Sequence, residues 1–212
     1  MMVLKWIAAF ALVFLSACAN VSTLQTAKTL DKGKYRVIAG AGSYGTKYSD
    51  GSGAPLPYLE GVIRYGLLNR FEGGVKWTLP YTLGLDFKLK LIDLNVPILS
   101  IGAGVNYTSF SSGSFSLSFI DLIVPAYFSL EFTQWLALYV SPKFMQRTIT
   151  GSVSGSSSSA SVNFFDHGYI GGGGGIRLGN TIGVFFEGSY MQGLKQKDTI
   201  IQINGALYFG DG

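Results

Sequence analysis

The chain has 212 residues, of which 48% are hydrophobic and 13% charged, and its formal net charge is +4. This content of large apolar residues excludes an intrinsically disordered chain. After the N-terminal segment no run reaches about 18 consecutive apolar residues, which excludes a helical membrane protein. The small charge, without clustered Lys and Arg, gives no basis for nucleic-acid binding.

The N-terminus combines a basic residue, a short apolar run and a cysteine. Lys5 precedes the apolar residues 6–14, a run too short for a transmembrane helix and typical of a secretory signal. Leu15-Ser16-Ala17 follow, and then Cys18, the only cysteine of the chain. This sequence, LSAC, resembles the lipobox of bacterial lipoproteins.

The resemblance implies a lipoprotein signal peptide over residues 1–17, cleaved before Cys18. It also implies a diacylglycerol on the Cys18 thiol and an acyl chain on the new amine. Because Ala19 is not the aspartate associated with inner-membrane retention in enteric bacteria, the resemblance implies the outer membrane as destination. The alternative is an ordinary secretory signal cut at a small residue such as Ala17, which leaves Cys18 as a free thiol. A single cysteine forms no internal disulfide and supports neither a redox pair nor a structural zinc-thiolate site.

Two further segments follow Cys18. Residues 18–33 are polar and show no clear apolar period, so they are interpreted as a lipidated tether. Residues 34–212 alternate between apolar and small or polar side chains, most clearly in 82–91, where Leu83, Leu85 and Phe87 alternate with glycine and charged residues. A period of two indicates strands, because successive side chains project to opposite faces. We therefore predict an all-β domain over 34–212.

The same test along the chain predicts about ten strands, with eight as the alternative count. Their alternation is typical of an antiparallel, up-and-down transmembrane β-barrel, in which single bacterial chains have an even number of strands. The predicted strands are 34–45, 56–67, 71–80, 82–92, 97–108, 116–130, 136–149, 163–178, 181–191 and 199–209.

The predicted links alternate between tight turns and longer connections, which is the topology of outer-membrane barrels with short periplasmic turns and long outer loops. The exception is the short link Leu79-Pro80-Tyr81. The strand count places both ends of the barrel on the short-turn side, where a periplasmic lipid would connect to the first strand. The longer links are Gly45–Pro57, Tyr107–Phe115, Thr148–Val162 and Met191–Thr199. Aromatic residues predicted to face outward near the strand ends, as in interfacial girdles, are Tyr35, Tyr65, Phe71, Trp77, Tyr107, Trp135, Tyr190 and Phe209.

The face opposite the apolar one carries charges of both signs in near balance. In a narrow barrel such side chains meet, and the structural interpretation is a network of ion pairs that fills the lumen. The functional alternative is a narrow polar channel. The residues of this lumen charge network are Arg36, Glu60, Arg64, Glu72, Lys76, Asp86, Lys88, Lys90, Asp121, Lys143, Arg177 and Glu187.

Three features that resemble catalytic or ligand sites have simpler structural explanations. His167 follows Asp166, and neighbours on a strand face opposite ways, so this carboxylate does not orient the ring as in an acid–base pair. No local motif of the omptin proteases or the lipid A modifying enzymes is present. The run Gly171–Gly175 lacks the GK[ST] of a phosphate loop and is explained by close approach of neighbouring groups. The serine-rich segment Gly151–Ser161 is interpreted as a flexible outer loop. We therefore predict no catalytic site, cofactor or metal.

The leading hypothesis is a lipid-anchored, integral outer-membrane barrel with a structural or surface-interaction role. Its expected partners are outer-membrane lipid and an extracellular partner bound through the long loops, and nucleic acid is not among them. One alternative is a lipid-tethered soluble periplasmic barrel of lipocalin type, which inverts the faces and binds an apolar ligand within the Leu83, Leu85, Phe87 and Leu89 side. Another alternative is a narrow pore.

Overall fold

The structure is a computed structural model that describes residues 21–47, 55–79, 82–94, 96–112, 115–154, 159–195 and 198–210. Within these ranges ten β-strands form one sheet. No helix in the described parts of the chain has the length and apolar character needed to cross a membrane. The strands are β1 Tyr35–Lys47, β2 Leu56–Leu68, β3 Phe71–Leu79, β4 Thr82–Asp93, β5 Ile98–Ser112, β6 Phe115–Thr133, β7 Leu136–Ser154, β8 Ser159–Gly179, β9 Ile182–Gly193 and β10 Thr199–Gly210.

The sheet closes into a barrel. Each strand pairs antiparallel with its neighbour in the chain, and β1 pairs with β10 from Arg36 opposite Gly210 to Lys47 opposite Thr199. Closure leaves no strand edge unpaired, as a barrel in lipid requires. The predicted fold, an antiparallel up-and-down transmembrane barrel, is confirmed with ten strands rather than eight.

The two ends of the barrel differ in their connections, and we call them the turn mouth and the loop mouth. The turn mouth holds the start of β1 and the end of β10 together with links 69–70, 94–97, 134–135 and 180–181. The loop mouth is the opposite end, with links 48–55, 80–81, 113–114, 155–158 and 194–198.

Two of the predicted long loops are largely strand. β5 and β6 stay paired as far as Ser112 opposite Phe115, and β7 and β8 as far as Ser154 opposite Ser159. Strands β6, β7 and β8 therefore reach 19, 19 and 21 residues, against 9 to 13 in β1–β4. The prediction was wrong there because it ended strands where the apolar alternation ended. Backbone pairing continues without apolar side chains once a hairpin projects beyond the membrane.

The exterior of the barrel is apolar. On β4, Leu83, Leu85 and Phe87 are 56%, 48% and 48% exposed. Lys88, which lies between Phe87 and Leu89, is only 1% exposed. This orientation is wrong for a lipocalin-like barrel, whose apolar side lines the lumen. Outward aromatic residues lie toward both mouths, as expected for interfacial girdles; they include Tyr35, Tyr65, Trp77, Tyr107, Trp135, Tyr190 and Phe209.

The main departure from expectation concerns the segment before β1. Residues 21–30, expected to belong to a tether outside the barrel, lie inside the lumen. Leu24 and Ala27 are fully buried, Val21 is 1% exposed and Leu30 is 3% exposed. We call residues 21–30 the plug. Residues 18–20, including the proposed lipid attachment point Cys18, lie outside the described residues.

Candidate functional site in the barrel lumen

The plug is anchored by apolar side chains at every third position. Val21 packs in a cluster near the loop mouth, Leu24 in a second cluster with Tyr139 and Phe185, and Ala27 in a third cluster. Burial of these side chains contributes roughly 1 to 3 kcal/mol each. The spacing Val21, Leu24, Ala27, Leu30 is a sequence signal that a search for periods of two or 3.6 does not detect.

Glu187, on β9, binds the plug backbone where it turns. Its carboxylate accepts hydrogen bonds from Thr23 N (2.8 Å), Thr23 Oγ1 (2.7 Å) and Leu24 N (2.8 Å). Leu24 has a φ of 45°, in the left-handed region. Successive N–H groups that converge in such a turn form an anion-binding concavity. The Tyr139 hydroxyl donates to the same carboxylate at 3.0 Å.

Three lysines of the wall donate hydrogen bonds to backbone carbonyl oxygens of the plug. Lys143 Nζ is 2.6 Å from Val21 O, and Lys76 Nζ is 3.1 Å from Ser22 O. Lys88 Nζ bonds to both Thr26 O (2.7 Å) and Lys28 O (2.8 Å). Buried backbone groups without partners are costly, and a coil inside a barrel has no strand to pair with. The charged wall therefore takes the place of a neighbouring strand.

Neutral side chains of the wall satisfy further backbone groups of the plug. Gln202 accepts from Val21 N at 2.9 Å, Ser129 accepts from Ala27 N at 3.2 Å, and Ser100 donates to Ala27 O. Together with the contacts from Glu72, Lys76, Lys88, Lys143 and Glu187, these hold the plug from seven strands of the barrel.

The plug leaves the lumen at the turn mouth through a tight turn. Gly33 has a φ of 83°, which only glycine adopts readily, and its N–H donates to Gly66 O at 2.8 Å. A Cβ on Gly66 would lie 2.0 Å from Asp31 O, so a side chain at that position does not fit beneath the turn. These two glycines let the chain reverse directly into β1.

One group of charges on β2, β3 and β4 pairs within the wall, and we call Arg64, Glu72, Asp86 and Lys88 the paired cluster. Arg64 Nε is 2.7 Å from Glu72 Oε1, and Arg64 Nη2 is 2.6 Å from Asp86 Oδ1. Lys88 Nζ is 3.0 Å from Glu72 Oε1. Glu72 also accepts from Leu30 N at 2.7 Å. These charges compensate one another, and Glu72 and Lys88 also bond to the plug backbone.

Strand register explains which charges meet. Glu72 stands directly opposite Lys88, whereas Arg64 stands opposite Gly74, which itself stands opposite Asp86. A Cβ on Gly74 would lie 2.9 Å from Arg64 Nη1, so the missing side chain lets the guanidinium reach across one strand to Asp86.

Two other ion pairs follow the same rules, and each includes a residue absent from the sequence prediction. Asp121 stands opposite Arg147 and binds it through both oxygens, at 2.6 and 2.8 Å. Arg177 reaches Glu131 at 2.7 Å across Ala137. Arg147 lies four residues after Lys143 and so on the same face, a signal that was available. Glu131 was assigned to a turn rather than to the end of β6.

The remaining residues of the predicted network also face the lumen or its edge. Glu60 accepts from Ser22 Oγ at 2.6 Å, and the Arg36 guanidinium lies 5.3 Å from the centre of the Tyr208 ring. Lys90 pairs with Asp93 at 2.6 Å near the turn mouth, where both are partly exposed. The lumen is thus built from ion pairs and from charges that bind the plug, rather than from ion pairs alone.

The glycine run on β8 makes room for these contacts. Gly173 and Gly175 lie on the inward face of β8, as do Tyr169 and Arg177. A Cβ on Gly173 would lie 2.5 Å from Ser189 Oγ, and one on Gly175 would lie 2.6 Å from Tyr139 Oη. Side chains there would displace the groups that hold Glu187 and Lys143, since Ser189 bonds to both.

A cavity of about 40 Å³ lies between the plug and the wall of β2–β6, lined by Ser22, Gln25, Arg64, Lys76 and Asn106 among others. That volume holds a few water molecules. In the described ranges, no three His, Cys, Asp or Glu side chains are placed to hold a metal ion. The side chain of His167 is outside what the structure describes.

Comparison with known proteins gives structural neighbours only. No protein-family model matches the chain, and no curated protein sequence matches it. Neisserial surface protein A (NspA) is 10% identical over 82% of this chain and 96% of its own, with a TM-score of 0.44. Ail, the attachment invasion locus protein of Yersinia pestis, is 12% identical over 84% and 99%, with a TM-score of 0.42. The translocator domain of autotransporter NalP from Neisseria meningitidis is 11% identical over 86% and 90%, with a TM-score of 0.46.

Proposed function

We propose that this chain is a lipid-anchored, integral protein of the bacterial outer membrane with a structural or surface-interaction role and no catalytic site. The observation that carries the proposal is the combination of an apolar exterior with a lumen filled by the chain's own plug. Such a molecule is stable in a bilayer, and the described residues of its plug occupy the lumen in which a substrate or solute would otherwise lie.

The exterior supports insertion into a bilayer. Large apolar side chains such as Ile203 and Leu207, both 65% exposed, face outward on β10, while Gln202 and Asn204 on the same strand are buried. Monomeric soluble proteins do not expose contiguous apolar surface of this extent. Barrels with an apolar outer band and a polar interior are the form in which strands cross the outer membrane.

The contents of the lumen support a role that involves neither transport nor catalysis while the plug is in place. Most of the lumen's described charges bind one another or the plug, and a cavity beside the plug measures about 40 Å³. A general acid or base must reach a substrate, and a pore must offer a continuous polar path. The plug occupies the part of the lumen in which a continuous pore or a catalytic site inside the barrel would lie.

The loop mouth supports a role in surface interaction. The β5–β6 and β7–β8 hairpins project there, and they are rich in serine and threonine. By the usual orientation of outer-membrane barrels this mouth faces outward. Loops at such positions are the part of the molecule that an extracellular partner reaches.

Alkaline carbonate extraction of envelopes tests membrane insertion separately from the lipid. Residues 1–18 are replaced by a cleavable, non-lipoprotein secretory signal, so that no acyl chain is attached. We expect the protein to stay in the outer-membrane pellet, because the barrel itself spans the bilayer. Release as a soluble periplasmic protein would show that lipid was the anchor and would contradict the proposal.

A matched pair of variants tests which face contacts lipid. Leu85→Arg places a charge on the outer face of β4, where a mid-membrane Arg costs about 2 to 4 kcal/mol. We expect much less protein in the carbonate pellet for Leu85→Arg. Lys32→Arg, at an exposed position near the turn mouth, is the control and should behave like the parent protein.

A further inference from the structure

The direction in which the plug crosses the barrel is defined by its contacts. Val21 packs against residues such as Tyr44, Tyr58 and Met191, which lie nine or ten residues from the turn-mouth ends of their strands. At the other end, Leu30 N bonds to Glu72, the second residue of β3, and Gly33 N bonds to Gly66 O. The chain therefore enters near the loop mouth and leaves at the turn mouth.

Contacts of the intermediate residues follow the same order. Ser22 bonds to Glu60 in the half of β2 nearer the loop mouth, Leu24 bonds to Glu187 in the middle of β9, and Ala27 bonds to Ser129 near the turn-mouth end of β6. The plug therefore runs through the lumen from the loop mouth to the turn mouth.

We propose that the N-terminal end of the processed chain lies at the loop mouth, on the outer face of the membrane, and that its acyl chains enter the outer leaflet there. The lipid part of this proposal rests on the proposed function, because it assumes acylation of Cys18. It reverses the expectation that the lipid lies in the periplasmic leaflet.

The length of the connecting chain carries the argument. Cys18 is three residues from Val21, and three extended residues span at most about 11 Å. The apolar band of an outer-membrane barrel is about 25 Å tall. With the plug in place, Cys18 therefore does not reach the leaflet at the turn mouth.

A lipid at the turn mouth would require the plug to leave the lumen. Lys143 and Glu187 would then lose Val21 O, Thr23 N and Leu24 N as partners, and the apolar side chains of Val21 and Leu24 would leave their clusters. Buried charges stripped of partners are strongly unfavourable, so a filled lumen with an outward lipid is the favoured arrangement.

Thiol labelling of intact cells tests the proposal on the full chain. An acylated Cys18 has no free thiol, because its sulfur carries the diacylglycerol, so Asn20→Cys introduces the single reactive thiol. Two matched variants are the references for labelling at each end of the barrel. Ser49→Cys lies between β1 and β2, in a link of the loop mouth, and Asp211→Cys follows β10 at the turn mouth. Each is treated with a membrane-impermeant maleimide before and after cell lysis.

We expect Asn20→Cys to label in intact cells as fully as after lysis, like Ser49→Cys, while Asp211→Cys labels only after lysis. Labelling of Asn20→Cys only after lysis, like Asp211→Cys, would overturn the proposal. An epitope inserted after Asn20 and detected by antibody on intact cells gives a second reading of the same topology, with the same two outcomes.

The unsubstituted chain separates failure of the lipid assignment from failure of the topology. Under denaturing conditions an acylated Cys18 does not react with maleimide. A reactive thiol there would show that Cys18 carries no lipid and would contradict that part of the proposed function. The Cys18 thiol would then itself report the mouth at which the N-terminus lies, so intact-cell labelling would still decide the direction of the plug.

Discussion

The two sides of the lumen wall neutralise their charges in different ways. On β2–β4 the paired cluster is held together within the wall, with Arg64 bonded to both Glu72 and Asp86. On β7 and β9, Lys143 and Glu187 bond to backbone atoms of the plug. Glu72, Lys76 and Lys88 on the first side also bind the plug backbone, but Arg64, Glu72, Asp86 and Lys88 keep one another as ionic partners without it. Lys143 and Glu187 depend more strongly on the plug. The difference indicates that the plug is an integral part of the barrel and not a passing occupant.

Removal of the plug should produce the largest effect. A secretory signal fused directly to Lys34 gives a barrel without residues 21–30. We expect the free energy of unfolding to fall by more than about 5 kcal/mol, because buried charges of the wall such as Lys76, Lys143 and Glu187 lose their partners in the plug and the burial of the plug's apolar side chains is lost. We also expect ion conductance from this barrel in planar bilayers and none from the full-length protein.

Urea unfolding in detergent micelles and single-channel recording measure these two outcomes. Deletion of residues 48–54, in the link between β1 and β2, is the matched control and should leave the lumen closed. If the barrel without the plug were as stable as the full chain and conducted no ions, the plug would contribute little to stability or to closure of the lumen.

Arg64→Ala should give the next largest effect. It leaves the buried Glu72 and the partly buried Asp86 with one cation fewer, and breaking a buried ion pair costs about 3 to 5 kcal/mol. Because the contacts of Lys143 and Glu187 with the plug are untouched, we expect the lumen to remain closed to ions. The midpoint of urea unfolding and bilayer conductance are the measurements.

Lys90→Ala is the control for this effect. It removes the partly exposed pair with Asp93, and such pairs contribute about 1 kcal/mol or less. Equal losses for Arg64→Ala and Lys90→Ala would argue against a special role of the paired cluster.

Glu187→Gln should destabilise the barrel less but act on the plug specifically. The substitution removes the charge that accepts from Thr23 N and Leu24 N, and hydrogen bonds to charged groups contribute about 1.5 to 3 kcal/mol. We expect faster amide hydrogen exchange at Thr23 and Leu24, with brief conductance events.

The same exchange measurement on Arg64→Ala sharpens the comparison between the two sides of the wall. There, protection of Thr23 and Leu24 should persist, because Glu187 keeps its contacts. Loss of protection at these amides in both variants would mean that the two sides of the wall act as one unit.

Much of the fold is visible in the sequence because a barrel wall has a strict local rule. Side chains along each strand must alternate between lipid and lumen. The face on which a residue such as Leu83 or Lys88 lies can therefore be predicted from its own strand, without information on the neighbouring strands. The ten predicted strands agree with the structure to within a few residues except near the loop mouth. There the hairpins leave the bilayer, and the rule that made the prediction no longer applies.

The contents of the lumen are less visible. Arg64 and Asp86 are 22 residues apart and meet only because Gly74 stands between them in the register. The plug makes no strand or helix, and its apolar residues Val21, Leu24 and Ala27 are small in number. Its local signal is a spacing of three residues, which a search for the periods of strands and helices does not detect.

Alternation, charge placement and strand number were thus determined by the sequence itself, because they follow from the period of a strand at a boundary between lipid and a polar interior. Which charges pair, and where residues 21–30 lie, were decided only by the tertiary structure. Closure of the barrel creates a narrow space lined by Lys143, Glu187 and their neighbours. Those buried charges require partners, and the backbone of the segment that precedes β1 supplies them.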